Sequence, residues 1–262
     1  MTGRPYVLRE TPWSVIRGTD YQVAMLPWGA TEAHNYHLPY GTDVYQAESV
    51  AVEAARLAWE QGARVTVLPA IPFGVNTGQL DIPLTINLNP STQSLMLRDI
   101  ADSLVGQGLR KLVLLNGHGG NDFRPPVREL QRTHELLIVV VNCWQIEPAD
   151  RYLPEPGDHA GALETAMMQH LHPSLVLPLS EAGNGATLVP MIQGLREGWA
   201  WTPRRWTQVS RDTGVGDPAG ATANAGQQFF QAITKRLSQL LTELAACPHD
   251  RFYTDSHSAG ES

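Results

Sequence analysis

Residues 22–43, QVAMLPWGATEAHNYHLPYGTD, pass from a short apolar run into a loop crowded with Glu, His and Asp side chains. The apolar run, residues 22–27, is continuous rather than alternating, which is typical of a strand buried on both faces. Three further runs have the same character: 64–69 (RVTVLP), 111–115 (KLVLL) and 136–141 (LLIVVV). Together they predict a mostly parallel sheet that is covered by helices on both sides.

Helical segments are predicted between and after these strands, at residues 45–61, 91–105, 122–135, 161–170 and 221–246. The first stops at Gly62, and the last carries apolar side chains at three- and four-residue steps. Because strand and helix alternate, an α/β fold with right-handed crossovers is the most economical interpretation. We predict one domain over residues 1–248 and a polar C-terminal tail over residues 249–262.

The composition excludes several classes of protein. The 262 residues include 19 Lys+Arg and 26 Asp+Glu, a formal charge of −7 at pH 7, whereas a nucleic-acid binder usually carries a basic patch. No apolar run approaches the roughly 18 residues that span a bilayer, so no membrane partner is expected. Two cysteines, Cys143 and Cys247, and an N-terminus without a signal-like apolar stretch predict a cytoplasmic protein.

The loop after the first strand predicts a metal site. Glu32 and His34 are two residues apart and would point to the same side of an extended segment, with His37 and Asp43 close behind. Asp43 alone could be a helix cap. Charged and imidazole groups crowded at the exit of an apolar strand nevertheless need a partner, and a divalent cation is the natural one.

Two further segments could join this site. The third strand runs into the turn Asn116-Gly-His118-Gly-Gly-Asn121, where a Gly-rich backbone could cradle a phosphate, although no G-x-G-x-x-G spacing or Walker lysine is present. His118 could instead reach a metal. The third segment, residues 158–165, contains Asp158, His159 and Glu164, and the dipole of a helix start would favour Glu164 by itself.

The carboxyl ends of parallel strands are where ligands bind in open α/β sheets, so these segments can meet there. Mixed carboxylate and imidazole ligands suit Zn²⁺, Mn²⁺ or Fe²⁺. A shared carboxylate could hold two ions roughly 3.5–4 Å apart.

These segments resemble the creatininase family of metal-dependent amidohydrolases. Residues 26–43 are similar to the family's first metal motif, 114–121 to its second and 158–168 (DHAGALETAMM) to its third. Weaker agreement covers residues 73–88 and 214–226. The resemblance implies a three-layer α/β/α sandwich with a mostly parallel sheet, assembled as a homo-oligomer, a hexamer in the family.

The resemblance also implies five metal ligands that hold two divalent ions (Zn, Mn or Fe): Glu32, His34, Asp43, His118 and Glu164. Asp43 would bridge the ions, and His159 and Glu164 are implied as catalytic residues. Contacts with the substrate are assigned to Trp144, Gly119, Gly120 and Asp158. Supporting positions behind the ligands are assigned to His37 and Asn116.

The sequence departs from creatinine-hydrolysing members of the family. Those members follow NGH with an aromatic residue and a Glu ligand, where this chain has Gly119 and Gly120, and they carry a Trp before the catalytic His, where this chain reads PEPG at 154–157. Creatinine is therefore disfavoured as the substrate. The 74–84 loop, residues 153–156 and the Trp-rich stretch 199–206 are expected to form the walls of the pocket.

The activity implied is hydrolysis of a non-peptide C–N bond, in a small amide, formamide or cyclic amide, by a metal-activated water. Two alternatives stay open. One is a phosphate- or nucleotide-binding module that uses the NGHGGN turn, and the other is a family member that binds metal without catalysis.

Overall fold

The computed structural model describes residues 3–253, so the predicted tail is described only over residues 249–253. The strands are β1 (Val23–Trp28), β2 (Val65–Val67), β3 (Lys111–Asn116) and β4 (Leu137–Asn142). The helices are α1 (Trp13–Ile16), α2 (Thr42–Glu60), α3 (Pro90–Gly106), α4 (Arg124–Leu130), α5 (Ala162–Leu171), α6 (Gln193–Arg196), α7 (Trp206–Val209) and α8 (Ala223–Ala246).

The sheet is parallel throughout, with the strand order β2-β1-β3-β4. The chain moves from β1 outward to β2 and then returns past β1 to form β3, so a topological switch point lies between β1 and β3. At the carboxyl end Trp28 is in register with Asn116, which is in register with Asn142. The loops after β1, β3 and β4 therefore leave from one edge of the sheet.

Helices cover both faces, which confirms the three-layer α/β/α sandwich. Every residue of β1 is buried, because alternate side chains enter two different cores. Val23 and Met25 pack with residues of α2, α5 and α8, while Ala24 and Leu26 pack with residues of α3 and α4. The continuous apolar runs in the sequence follow from this burial on two sides.

The two largest differences from the predicted helix boundaries are at the end of α4 and at the start of α2. α4 ends at Leu130 rather than at 135, since the next residues form turns in which Arg132 N donates to Glu129 O and Thr133 Oγ1 to Leu130 O. α2 begins at Thr42, three residues before the predicted start, which places Asp43 inside its first turn. Among residues 3–253, no helix is both long and apolar enough to cross a membrane.

Candidate metal centre

The candidate ligands meet at the carboxyl edge of the sheet. The loop after β1 supplies Glu32 and His34, the first turn of α2 supplies Asp43, the turn after β3 supplies His118, and α5 supplies Glu164. The first four side chains are buried, and that of Glu164 is partly exposed. The structure thus brings together all the ligands that the sequence predicts.

Asp43 lies at the middle of this cluster. Its Oδ1 is 2.9 Å from His34 Nε2, and its Oδ2 is 3.1 Å from His118 Nδ1. Its side chain makes no capping bond to the start of α2. The helix is held close to the β3 turn, since a Cβ on Gly117 would lie 2.9 Å from the backbone oxygen of Asp43.

Three overlapping groups could each hold a cation, with ligand atoms within 4.8 Å of one another. They are Glu32–Asp43–His118, His34–Asp43–Glu164 and Glu32–His34–His159. The residues fit such an ion, because Asp43 Oδ2 is fully buried and, although His118 Nδ1 is 3.1 Å away, accepts no hydrogen bond of good geometry from the described residues. Carboxylate oxygens and imidazole nitrogens in one site suit Zn²⁺, Mn²⁺ or Fe²⁺.

The electrostatics of the cluster also favour a cation. Burial lowers the pKa of His34, but the charges of Asp43, Glu164 and Glu32 outweigh burial and raise this pKa to about 10. The pKa of His118 is likewise held well above its usual range, against burial, by Glu32 and Asp43. Burial raises the pKa of Glu164, and His34 and His159 offset only part of that effect. Protons on His34 and His118 therefore balance the carboxylate charge, as a divalent cation bound among these groups would.

Backbone carbonyls fix the orientation of two imidazoles. His34 Nδ1 donates to the carbonyl of Glu32 at 3.1 Å, and His118 Nε2 donates to the carbonyl of Val75 at 3.1 Å. These bonds leave His34 Nε2 and His118 Nδ1 facing the carboxylates, an arrangement that is common behind metal ligands. Gln79, which the sequence pattern did not single out, donates from Nε2 to Glu32 Oε2.

The NGHGGN turn is braced by its own side chains. Asn116 Oδ1 accepts from His118 N and Asn121 Nδ2, both at 3.1 Å, which agrees with the supporting position predicted for Asn116. α4 begins only at Arg124, so its first N–H groups lie beyond the glycines. His118 also sits against two buried carboxylates, an unfavourable neighbourhood for a phosphate. The geometry therefore disfavours the anion-cradle alternative.

His159 lies beside the candidate ligands, and one of its two ring nitrogens makes a hydrogen bond. Its Nε2 donates to the carbonyl of Ala33 at 2.8 Å, so Nδ1 is the basic nitrogen, and it is 3.7 Å from Glu32 Oε1. The ring lies between His34 and Trp206, with ring centroids 4.2 and 4.7 Å away. Three backbone hydrogen bonds join Asp158 and His159 to Val215, so the loop is held against the 214–226 stretch.

The residues assigned to substrate contacts lie in different environments. Asp158 is exposed and forms an ion pair with Arg204, while the carbonyl of Ala33 orients His159. Trp144 is 41% exposed after β4, and among the described residues it is Trp206 that packs against His159, with the two rings tilted by 54°. Trp206 forms an aromatic wall beside His159, within the 199–206 stretch that was expected to line the pocket.

His37 lies behind the candidate ligands and contacts the residue next to Glu164. The side chain is buried, and its Nε2 is hydrogen-bonded to Thr165 Oγ1 at 2.8 Å, next to Glu164. Asn35, another residue that sequence reasoning missed, adopts a left-handed backbone conformation (φ 53°) between His34 and the following turn. Its side chain bonds to both backbone groups of Gly183, which ties the loop to the 183–216 segment. The positive φ of an Asn cannot be read from composition.

Gly120 has no space for a side chain. A Cβ there would lie 2.2 Å from the backbone oxygen of Val75 and 2.5 Å from His118 Nε2. The Glu ligand that the resemblance would imply at this position could not be accommodated without moving the backbone. Glu164 instead approaches from α5, with Oε2 3.9 Å from His34 Nε2.

We expect Gly120→Ala to destabilise the protein by about 1–3 kcal/mol, because the methyl group collides with backbone and with a candidate ligand. Gly119→Ala is the matched control, since no atom lies within 4 Å of its added Cβ. That variant should stay within about 0.5 kcal/mol of the native protein. Urea unfolding of the three proteins measures the difference, and equal stabilities would contradict the packing described above.

The comparisons with known proteins agree with this fold and site. The family model described as "Creatininase: Creatinine amidohydrolase" matches residues 10–241. The chain therefore belongs to the creatininase family, and it is a hydrolase that acts on amide C–N bonds.

Relatives within the family have different names. The mycofactocin precursor peptide peptidase of Mycobacterium tuberculosis is 32% identical over 215 residues, which is 80% of each chain. The creatinine amidohydrolase of Pseudomonas putida is 31% identical over 176 residues, 59% of this chain and 66% of the relative.

Solved structures show the same architecture. A Bacteroides fragilis protein provisionally named a creatinine amidohydrolase is 39% identical, with a TM-score of 0.90 over 97% of this chain and all of the other. A creatininase solved with manganese has a TM-score of 0.77 over 92% of this chain and 99% of its own. At 22% identity, the latter likeness concerns the fold alone.

Proposed function

We propose that the protein is an amidohydrolase with two divalent metal ions, zinc, manganese or iron, at the carboxyl edge of its sheet. The observation that carries the proposal is the position of Asp43, which turns one carboxylate oxygen toward His34 and the other toward His118. Asp43 would bridge the ions. Glu32 and His118 would complete one ligand set, and His34 and Glu164 the other.

When bound, such ions lower the pKa of a coordinated water and polarise a carbonyl oxygen. His159 would act as the proton carrier: Nδ1 accepts a proton from the attacking water and returns it to the leaving nitrogen. The bond from Nε2 to Ala33 keeps the ring in the tautomer that this role needs. Trp206, whose ring centroid is 4.7 Å from that of His159, would limit the access of water.

The substrate that we propose is a small amide, formamide or cyclic amide. Creatinine is disfavoured because Gly119 and Gly120 replace the aromatic residue and the Glu of creatinine-hydrolysing members. Arg204, paired with Asp158 beside Trp206, places a cation near the site that could contact an anionic substituent.

A peptide bond is a second candidate. It is supported by the mycobacterial relatives, which are named as peptide peptidases. It is also supported by large apolar side chains in the segment just before Arg204, since Met191, Trp199 and Trp201 are all exposed. A flexible apolar chain could lie along such a surface, so a test of substrates must include short peptides.

The first test is elemental analysis of the purified protein together with His34→Ala and Glu164→Ala. We expect about two transition-metal ions per chain in the native protein and fewer in both variants. Asp150→Ala, a change at an exposed carboxylate, should leave the metal content unchanged. If the native protein holds no metal even after supplementation with Zn²⁺, Mn²⁺ or Fe²⁺, the proposal is wrong.

Turnover is then measured on a panel of amides, formamides, cyclic amides and short peptides. Hydrolysis that requires the bound metal would support catalysis at this centre. Retained metal and metal-dependent stability, with no hydrolysis across the panel, would favour the non-catalytic alternative instead.

A further inference from the structure

Gln79 is a buried polar residue next to a candidate ligand. It ends the single-turn 3-10 helix Thr77–Gln79, and only 1% of its surface is exposed. The side-chain nitrogen donates to Glu32 Oε2, whereas the side-chain oxygen Oε1 has no hydrogen-bond partner among the described residues. Buried acceptors in native structures are nearly always paired, so an unpaired one beside a candidate metal site points to a ligand.

The contact with Glu32 fixes the orientation of the Gln79 amide. A carboxylate can only accept hydrogen bonds, so the amide must turn its NH₂ group toward Glu32 and its oxygen away. Oε1 is the other polar atom of the same planar group and therefore lies within one amide width of the Glu32 carboxylate. The unpaired acceptor is therefore a near neighbour of the candidate metal centre.

The surroundings of Gln79 connect it to the aromatic wall of the site. A Cβ on the preceding residue, Gly78, would lie 2.0 Å from the backbone oxygen of Arg204 and 3.3 Å from Trp206 Cδ1. Trp206 in turn packs against His159, with ring centroids 4.7 Å apart. Gln79 therefore lies on a segment that packs against the wall beside the candidate proton carrier, while its side chain reaches a candidate ligand.

We propose that Gln79 determines substrate specificity by accepting a hydrogen bond at Oε1 from the N–H of the scissile amide, while its Nε2 holds Glu32. This inference rests on the proposed function. It predicts that the enzyme prefers primary and secondary amides, whose nitrogen carries a hydrogen, over tertiary amides. A site built to bind an N–H group discriminates strongly against analogues that lack it, because the buried acceptor is then left unpaired.

The test compares two matched pairs of substrates in the metal-loaded enzyme. Formanilide is paired with N-methylformanilide, and the dipeptide Ala-Gly with Ala-Sar, so that each compound has a single scissile C–N bond. In each pair the second compound lacks the hydrogen on the scissile nitrogen. Native protein and Gln79→Met are compared by kcat/KM, because methionine keeps the length of the side chain and removes both polar groups. The metal content of each preparation is measured alongside.

We expect Gln79→Met to reduce kcat/KM for the N–H substrate at least about tenfold more than for its N-methyl partner. The steric effect of the methyl group is common to both enzymes and cancels in this comparison. Gln93→Met is the matched control, since Gln93 is equally buried and donates to Asn121. Gln93→Met should change kcat/KM for both members of a pair by the same factor.

If Gln79→Met lowered kcat/KM by the same factor for both members of a pair, the inference would be overturned. Gln79 would then only hold Glu32 in place. The same variant would then show a lower metal content without a change in specificity. Failure of the native, metal-loaded protein to hydrolyse either member of either pair would instead remove the proposed function, and the inference with it.

Discussion

Asp43→Asn should lose both metal ions and reduce kcat/KM by at least about a thousandfold. The amide keeps the volume of the side chain but cannot supply two anionic oxygens, so neither ligand set is complete. Metal ions contribute several kcal/mol to such reactions, and each 1.4 kcal/mol corresponds to a factor of ten. Metal content by elemental analysis and hydrolysis of the best substrate in the panel measure the effect.

The control for this variant is Asp150→Asn, which makes the same chemical change at an exposed position. It should match the native protein in both measurements. Thermal unfolding of Asp43→Asn would show whether the variant is folded, so that lost metal is not mistaken for lost structure. A folded variant that keeps two ions and full turnover would contradict the bridging position of Asp43.

His159→Ala should reduce kcat by about 10²–10⁴, the usual contribution of a positioned acid–base residue, while the metal content stays unchanged. Unlike Asp43→Asn, this variant should keep its metal, because the two side chains have different surroundings. Asp43 contacts two histidines at about 3 Å, whereas His159 Nδ1 is 3.7 Å from the nearest carboxylate oxygen and is free to exchange a proton. Single-turnover kinetics and elemental analysis of one preparation separate these effects.

His134→Ala is the matched control for His159, because it makes the same change at a histidine outside the metal centre, whose Nε2 pairs with Asp102 of α3. Its kcat should remain within a few-fold of the native value. Loss of metal from His159→Ala would point to the group Glu32–His34–His159 as a ligand set. His159 would then be a ligand rather than the proton carrier.

Much of the fold could be predicted from the sequence, because short continuous apolar runs are typical of strands buried on both faces. β1 lies one residue further along the chain than predicted, β3 extends one residue beyond its predicted end, and α8 begins two residues after its predicted start. Predictions were less accurate where local preference competed with tertiary contacts. α4 is shorter than its sequence pattern suggests, and the 183–216 segment, which contains the single-turn helices α6 and α7, is held by bonds such as that of Asn35 to Gly183.

The sequence by itself determined which residue types carry the chemistry. Glu, His and Asp at the exits of apolar strands require a partner charge, and the spacing of these residues places them at one edge of a parallel sheet. Only the tertiary structure decided which atoms face one another. Asp43 lies between two histidines because α2 packs against the β3 turn at Gly117. Gln79 and Trp206 join the site through contacts between segments far apart in the chain, and no local pattern encodes such contacts.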